Sequence, residues 1–356
     1  MNKTPIIKVV GTACNLRCDY CFFLEHSQKK VISLELLESF FEQYFQMFSG
    51  EINFVWHGGE PLLAGIDFYQ IAISLQRHFK KNGDKIRNSI QTNATLITEN
   101  WCEFFKEHKF AVGVSLDGTE ISHNRHRKFV DGHGSFQATM AGIQKLQDHQ
   151  IKFGIIATVT KSSLENLEHD LEFFVRETKL DRLAFNLFAD DSTGNQQLTD
   201  ENISSVEAEF FYQTIMRFWL KENNRKLSIR EIDNCLAGVV GKWPKNCSFN
   251  GSCTDYFSLN IDGEVYPCER LSFNGSGLLG DLRSQTLVEI LTSKQFDQHC
   301  QRSAERSVAC EKCSNSKFCN NGCTALRNKD GIFRYCSARQ LAYQKLSALI
   351  QKLDKK

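Results

Sequence analysis

The chain has 356 residues, 41% hydrophobic and 24% charged, which excludes wholesale disorder, collagen and coiled coil. Lysine and arginine number 43 against 42 acids, a formal net charge of +1, so no global basic excess points to nucleic acid or an anionic membrane. The unusual feature is 14 cysteines, nine of them between Cys247 and Cys336.

Short apolar runs alternate with longer amphipathic stretches over the first 190 residues. Strands are predicted at Ile6–Val10, Ile52–Trp56, Ile86–Gln91, Ala111–Ser115, Phe153–Thr158 and Arg182–Leu187. Helices are predicted at Leu34–Phe48, Phe68–Lys80, Asn100–Glu107, Ser135–His149 and Leu164–Glu177. Repeated strand–helix units favour a parallel sheet, either doubly wound or a partial barrel. Ala189–Asn195 reads as a loop, and Asp200–Lys221 and Leu227–Val240 as helices. From Gly241 the segments are short and rich in Gly, Asn, Ser and Cys, a composition that bound metal would have to stabilise. The expected boundary therefore divides 1–240 from 241–356, and a last amphipathic helix covers Ala338–Leu353.

Dense cysteines mean disulfides, zinc or iron–sulfur clusters. Disulfide frameworks suit short secreted chains, whereas Met1–Gly11 is too short an apolar run for a signal peptide. No stretch reaches the roughly 18 apolar residues of a membrane span. A reducing cytoplasm, where cysteines hold metal, is the expectation. CNLRCDYC places Cys14, Cys18 and Cys21 in the spacing C-x3-C-x2-C. A structural zinc site takes four protein ligands. Three soft thiolates with no fourth nearby suit an iron–sulfur cubane with one open iron.

This segment resembles the signature of the radical SAM superfamily. The resemblance implies an α/β fold, a partial (β/α)6 TIM barrel, in which the open iron binds S-adenosylmethionine (SAM). Cleavage of SAM then yields a 5′-deoxyadenosyl radical that abstracts an unactivated hydrogen. Other polar motifs follow later strands, at the carboxyl ends where α/β barrels build their sites. Gly58, Gly59 and Glu60 resemble the family's GGE motif. Gln91-Thr92-Asn93 follows the third strand, Ser115-Leu116-Asp117-Gly118 the fourth and Asn186-Leu187 the sixth. By resemblance, Tyr20, Gly58, Gly59, Glu60, Ser115, Arg127 and Leu187 face SAM. Arg127 would pair the SAM carboxylate; its alternative is a solvated surface charge.

The later cysteines run Cys247, Cys253, Cys268, then Cys310-x2-Cys313-x5-Cys319-x3-Cys323, then Cys336. This order resembles the SPASM extension of radical SAM enzymes that modify peptides. The resemblance implies two auxiliary [4Fe–4S] clusters and so three clusters in all. Cys247, Cys253, Cys268 and Cys323 would hold the inner one, and Cys310, Cys313, Cys319 and Cys336 the outer. Spacing alone leaves the pairing open. Cys102, Cys235 and Cys300 are left as bystanders, the first two as small buried hydrophobes.

Fully ligated auxiliary clusters would accept an electron from a substrate radical. Glu269, directly after Cys268, stands where anaerobic sulfatase maturases, which make formylglycine from Ser or Cys, place an Asp base. Its extra methylene, and the segments HGGEPLLAG and Asp117–Ser135, favour instead the branch that forms three-residue cyclophanes. The expected function is thus a radical SAM/SPASM oxidoreductase that installs a carbon–carbon crosslink in a precursor peptide. A sulfatase maturase is the alternative, and a non-catalytic iron–sulfur electron carrier the remaining one. An external electron donor such as a flavodoxin or ferredoxin is implied. Thirteen residues precede Cys14, too few for a leader-recognition domain, so the peptide leader would be bound by the barrel, the SPASM region or a separate protein.

Overall fold

A computed structural model describes residues 2–21, 30–189, 200–272 and 277–353. The expected strand–helix alternation is present as β1 (Thr4–Lys8), α1 (Leu34–Met47), β2 (Glu51–His57), α2 (Ile66–Phe79), β3 (Lys85–Thr92), α3 (Glu99–Glu107) and β4 (Ala111–Ser115). It continues through α4 (Glu120–His126), α5 (Phe136–Asp148), β5 (Phe153–Val159), α6 (Leu167–Arg176) and β6 (Arg182–Leu187). Next come α7 (Ser205–Glu222), β7 (Ser228–Ile229), α8 (Arg230–Val239), β8 (Tyr256–Leu259), β9 (Glu264–Tyr266) and β10 (Gly280–Asp281). Of the expected loop at 189–195, residues 190–195 lie outside the described residues.

The chain divides into two compact units. The first comprises residues 1–115, 126–153 and 254–301. Its strands β1 to β4 pair in parallel in chain order. β8 adds in parallel to the other side of β1, and β9 and β10 follow antiparallel. Register explains why β2 forms: Ile52, Phe54 and Trp56 alternate inward along the strand. α1 begins at Ser33, whose hydroxyl accepts from the Leu36 amide at 3.2 Å. It buries Leu37, Phe40, Phe41, Tyr44 and Phe45, an i, i+3, i+4, i+7, i+8 stripe. Each such side chain contributes roughly 1.5–3 kcal/mol on burial.

The second unit comprises residues 116–125, 154–253 and 302–356. In it β5, β6 and β7 are parallel neighbours, and Phe174, Phe185 and Phe211 supply the core. The expected helix Leu164–Glu177 is split into a 3-10 turn, Ser162–Asn166, and α6. The cause is local: the Ser163 hydroxyl accepts from the Thr160 amide and donates to the Thr160 carbonyl, each at 2.9 Å. The last helix runs over Cys336–Leu353, beginning two residues earlier than expected.

Candidate active site

Cys14, Cys18 and Cys21 occupy the loop after β1 as half-buried free thiols. Backbone bonds from Arg17 to Lys128 (2.7 Å) and from Asp19 to His126 (3.1 Å) anchor this loop. The Cys14 sulfur accepts from the Leu16 amide at 3.3 Å. Burial pushes the Cys14 thiol up to about 11, against the Leu16 amide and the Arg127 charge, which pull it down.

The Gly58-Gly59-Glu60 turn docks on the same loop. The Gly59 and Glu60 amides donate to the Gly11 and Ala13 carbonyls, both at 2.8 Å. A Cβ on Gly59 would lie 1.9 Å from the Ala13 carbonyl oxygen, and Gly58 has φ of +112°, so both positions require glycine. Glu60 is 0% exposed. Its carboxylate accepts from the Leu62 amide (3.0 Å), the Thr92 hydroxyl (2.8 Å) and the Asn93 amide (2.8 Å). Burial outweighs these donors and raises its pKa to about 6.

The other first-unit candidates gather around this frame. Asn93 directs its amide nitrogen to Asn15 Oδ1 (2.9 Å) and to the Cys14 sulfur (3.8 Å). The Gln91 amide nitrogen donates to the Ser115 hydroxyl at 2.9 Å. Arg127 is buried, with its guanidinium carbon 5.4 Å from the Tyr20 ring centroid; it is not a solvated surface charge. Leu187 belongs to the second unit, at the end of β6. Its neighbour Asn186 accepts from Arg230 at 3.1 Å.

One arrangement was not legible from motifs. Lys8 and His57 are register partners at the carboxyl ends of β1 and β2. β9 leads through Pro267 to Cys268 and Glu269, and Glu269 Oε1 lies 2.9 Å from His57 Nδ1. The two side chains are 21% and 28% exposed. Burial works against both charges, but each charge and its contact outweigh that for the other. His57 is held above the usual imidazole range and Glu269 below the usual carboxylate range. Lys8 is buried, donates to the Ser272 hydroxyl at 2.5 Å and adds its charge on the Glu269 side. A lysine in the middle of the apolar run Ile6–Val10 was the available signal.

In the second unit, Cys310, Cys313, Cys319 and Cys336 line one cavity. Burial and then its three neighbours' charges raise the Cys336 thiol. Ser307 donates to the Cys310 sulfur at 3.2 Å and Gln340 to the Cys313 sulfur at 3.6 Å. Among the described residues no group of three His, Cys, Asp or Glu side chains could hold a single metal ion. A cavity ringed by four thiols offers the soft donor set of an iron–sulfur cluster. Cys253 Sγ lies 3.3 Å from Thr324 Oγ1, and Cys253 and Cys323 both lie within electrostatic reach of Arg327. Cys247 also belongs to this unit, whereas Cys268 lies in the first unit near Lys8. Cys102 and Cys235 are fully buried, and burial pushes Cys235 up to about 12.

A parallel α/β unit with a glycine turn bonded to a three-cysteine loop, and a four-thiol cavity in a cysteine-rich region, define a radical SAM protein with a SPASM extension. The radical SAM superfamily matches residues 9–174, and the SPASM iron–sulfur cluster-binding domain matches 247–315. SAM and [4Fe–4S] clusters are the cofactors of these domains. The chain is 33% identical over 342 residues to a serine-type anaerobic sulfatase-maturating enzyme of Bacteroides thetaiotaomicron, covering 89% of this chain and 81% of that one. It is 31% identical over 336 residues to a cysteine-type anaerobic sulfatase-maturating enzyme of Clostridium novyi, covering 92% and 89%. The solved structure of native anSMEcpe with bound AdoMet superposes with a TM-score of 0.88 at 27% identity, covering 99% of each chain. The chain belongs to the anaerobic sulfatase-maturating enzyme family of the radical SAM superfamily.

These relatives overturn the expectation of a carbon–carbon crosslinking maturase of precursor peptides. Streptococcus suis SuiB bound to its precursor peptide SuiA shares the fold alone, at 16% identity and a TM-score of 0.68. In the segments that suggested cyclophane chemistry, His57 pairs with Glu269, and Asp117 accepts from the Thr158 amide at 2.9 Å. No described helix is long and apolar enough to cross a membrane.

Proposed function

We infer that the chain is a radical SAM oxidoreductase that converts a Ser or Cys side chain of a sulfatase to formylglycine. The observation that carries this reading is the carboxylate of Glu269, directly after Cys268 and ion-paired to His57 of the HGGE turn. In this reading Cys14, Cys18 and Cys21 hold the SAM-binding cluster. Cys247, Cys253, Cys268 and Cys323 hold the inner auxiliary cluster, and Cys310, Cys313, Cys319 and Cys336 the outer. When bound, these groups would supply hydrogen-atom abstraction from the substrate and an acceptor for the remaining electron.

The chain's own residues do the rest. Arg127, with Tyr20 on its face, supplies the cation for the SAM carboxylate. Gly58 and Gly59 let the turn close on the backbone of the three-cysteine loop, and Ser115, held by Gln91, is a further SAM contact in this reading. Glu60 acts as a positioning residue, because its oxygens already hold β3's end against the turn. Glu269 accepts the proton released as the side-chain carbon becomes a carbonyl, and His57 and Lys8 keep it ionised beforehand. With one hydrogen atom, one electron and one proton removed, a Ser side chain becomes the aldehyde directly, whereas a Cys side chain becomes a thioaldehyde that water hydrolyses to the aldehyde, its sulfur leaving as hydrogen sulfide. A flavodoxin- or ferredoxin-type donor in a reducing cytoplasm suits fourteen free thiols.

The test is anaerobic turnover of the reconstituted protein with SAM, dithionite and a sulfatase-derived peptide carrying Ser or Cys. A hydrazide-reactive aldehyde formed in step with 5′-deoxyadenosine is expected. 5′-Deoxyadenosine without aldehyde from either peptide would overturn the assignment.

A further inference from the structure

Arg339 stands three residues after Cys336 on the last helix, and so on the same face one turn away. It is 3% exposed. The rings of Phe249 and Phe333 flank its guanidinium at 4.0 and 4.3 Å. It donates to the Ser248 carbonyl, while its Nε has no hydrogen-bond partner. Among the described residues no carboxylate is seen paired with it; the groups that act on it most are Tyr212, which is hydrogen-bonded to it, Cys319, Tyr343 and Cys235. It lines the cavity of Cys310, Cys313, Cys319 and Cys336.

Arginine keeps its charge in proteins, and a buried cation without a counter-anion is strongly disfavoured. The four thiols supply the missing anion once they bind iron. A cubane with four thiolates has a net charge of about −2 oxidised and about −3 reduced. A fixed cation at its edge stabilises the reduced form more.

We propose that Arg339 is the buried counter-charge of the cluster held by Cys310, Cys313, Cys319 and Cys336, and that it raises that cluster's reduction potential. This rests on the cluster assignment made above. The role is a positioned charge tuning an electron acceptor; one electron arrives and no bond is made or broken. Gln340, donating to the Cys313 sulfur, acts in the same direction.

The test uses the full chain, reconstituted anaerobically, with Cys14, Cys18 and Cys21 changed to alanine so that only auxiliary clusters give a spectroscopic signal. Midpoint potentials and iron content are compared for Arg339, Arg339→Met and Arg339→Lys. The expectation for Arg339→Met is that one auxiliary signal becomes harder to reduce. The fall in its reduced-to-oxidised ratio at fixed poise would be about tenfold, about 59 mV for one electron. Lysine, which keeps the charge, should restore most of the shift. If methionine expels the four outer irons, the lysine variant must retain them. An unmoved potential with full iron in Arg339→Met, or a lysine variant that behaves like methionine, would overturn the proposal. A chain with Arg339 intact that binds only one auxiliary cluster would instead overturn the cluster assignment.

Discussion

Replacing Glu269 by glutamine tests the assigned proton acceptor most directly. The amide keeps the side chain's size but can neither accept the proton nor pair the imidazolium of His57, now 2.9 Å away. General-base contributions run to about 10²–10⁴ in rate, or roughly 2.7–5.5 kcal/mol at 1.36 kcal/mol per decade. Aldehyde formation should fall by that factor while SAM cleavage persists. Folding stability should also fall, because the paired atoms His57 Nδ1 and Glu269 Oε1 are buried and glutamine leaves the imidazolium without its counter-charge. The companion variant His57→Gln leaves the carboxylate but removes what pulls its pKa down most. The acid limb of the rate profile should therefore move to higher pH. Glu269 is depressed, so its stabilising contribution exists above its unfolded pKa and is lost as pH falls through the folded value. His57 is raised, so its contribution exists below its unfolded pKa and is lost as pH rises through the folded value. The wild type should thus gain most over His57→Gln between the ordinary values of about 4.3 and 6.5. Aldehyde yield from Glu269→Gln within about threefold of wild type, in assays of the kind described above, would remove the base role.

Three further outcomes are expected. Gly59→Ala drives a Cβ into the Ala13 carbonyl; it should lower stability by about 1–3 kcal/mol, read as a fall in melting temperature, and abolish SAM cleavage. Arg127→Ala should weaken SAM binding by roughly 1.5–3 kcal/mol, about 10- to 150-fold in Kd, measured by calorimetry under anaerobic conditions; unchanged affinity would free Arg127 from that role. Changing Cys319 and Cys336 together to alanine should lower iron by about four per chain, one cubane, and leave the SAM-bound spectroscopic signal intact.

The strand–helix periodicity carried β4 and β6 to the residue, because each is a short apolar run between helices with clear polar faces. What it hid were contacts made over long sequence separation. Nothing in Tyr256–Leu259 says that it pairs with β1, some 250 residues earlier, and so Glu269 arrives beside His57 by a route that no local pattern encodes. The spacing left the pairing of the later cysteines open; the resemblance grouped Cys310, Cys313, Cys319 and Cys336, and these four line one cavity. Arg339 was as visible in the string but carried no motif; only its burial between two rings gives it meaning. The substrate class was misjudged for a related reason. HGGEPLLAG builds the glycine turn that docks on the three-cysteine loop, so it reports the scaffold and not the product.

Glu60 bears on how such proteins can be altered. At neutral pH it is held ionised although its pKa is about 6, up from 4.5, a standing penalty of about 2 kcal/mol at 1.36 kcal/mol per unit. That penalty is tolerated because three donors from two places in the chain converge on one carboxylate. The glycine turn is therefore not a portable cassette. Transplanted into another barrel without Thr92 and Asn93, it would leave the buried charge with the Leu62 amide as its remaining donor, so a chimera must carry the end of β3 along with the turn.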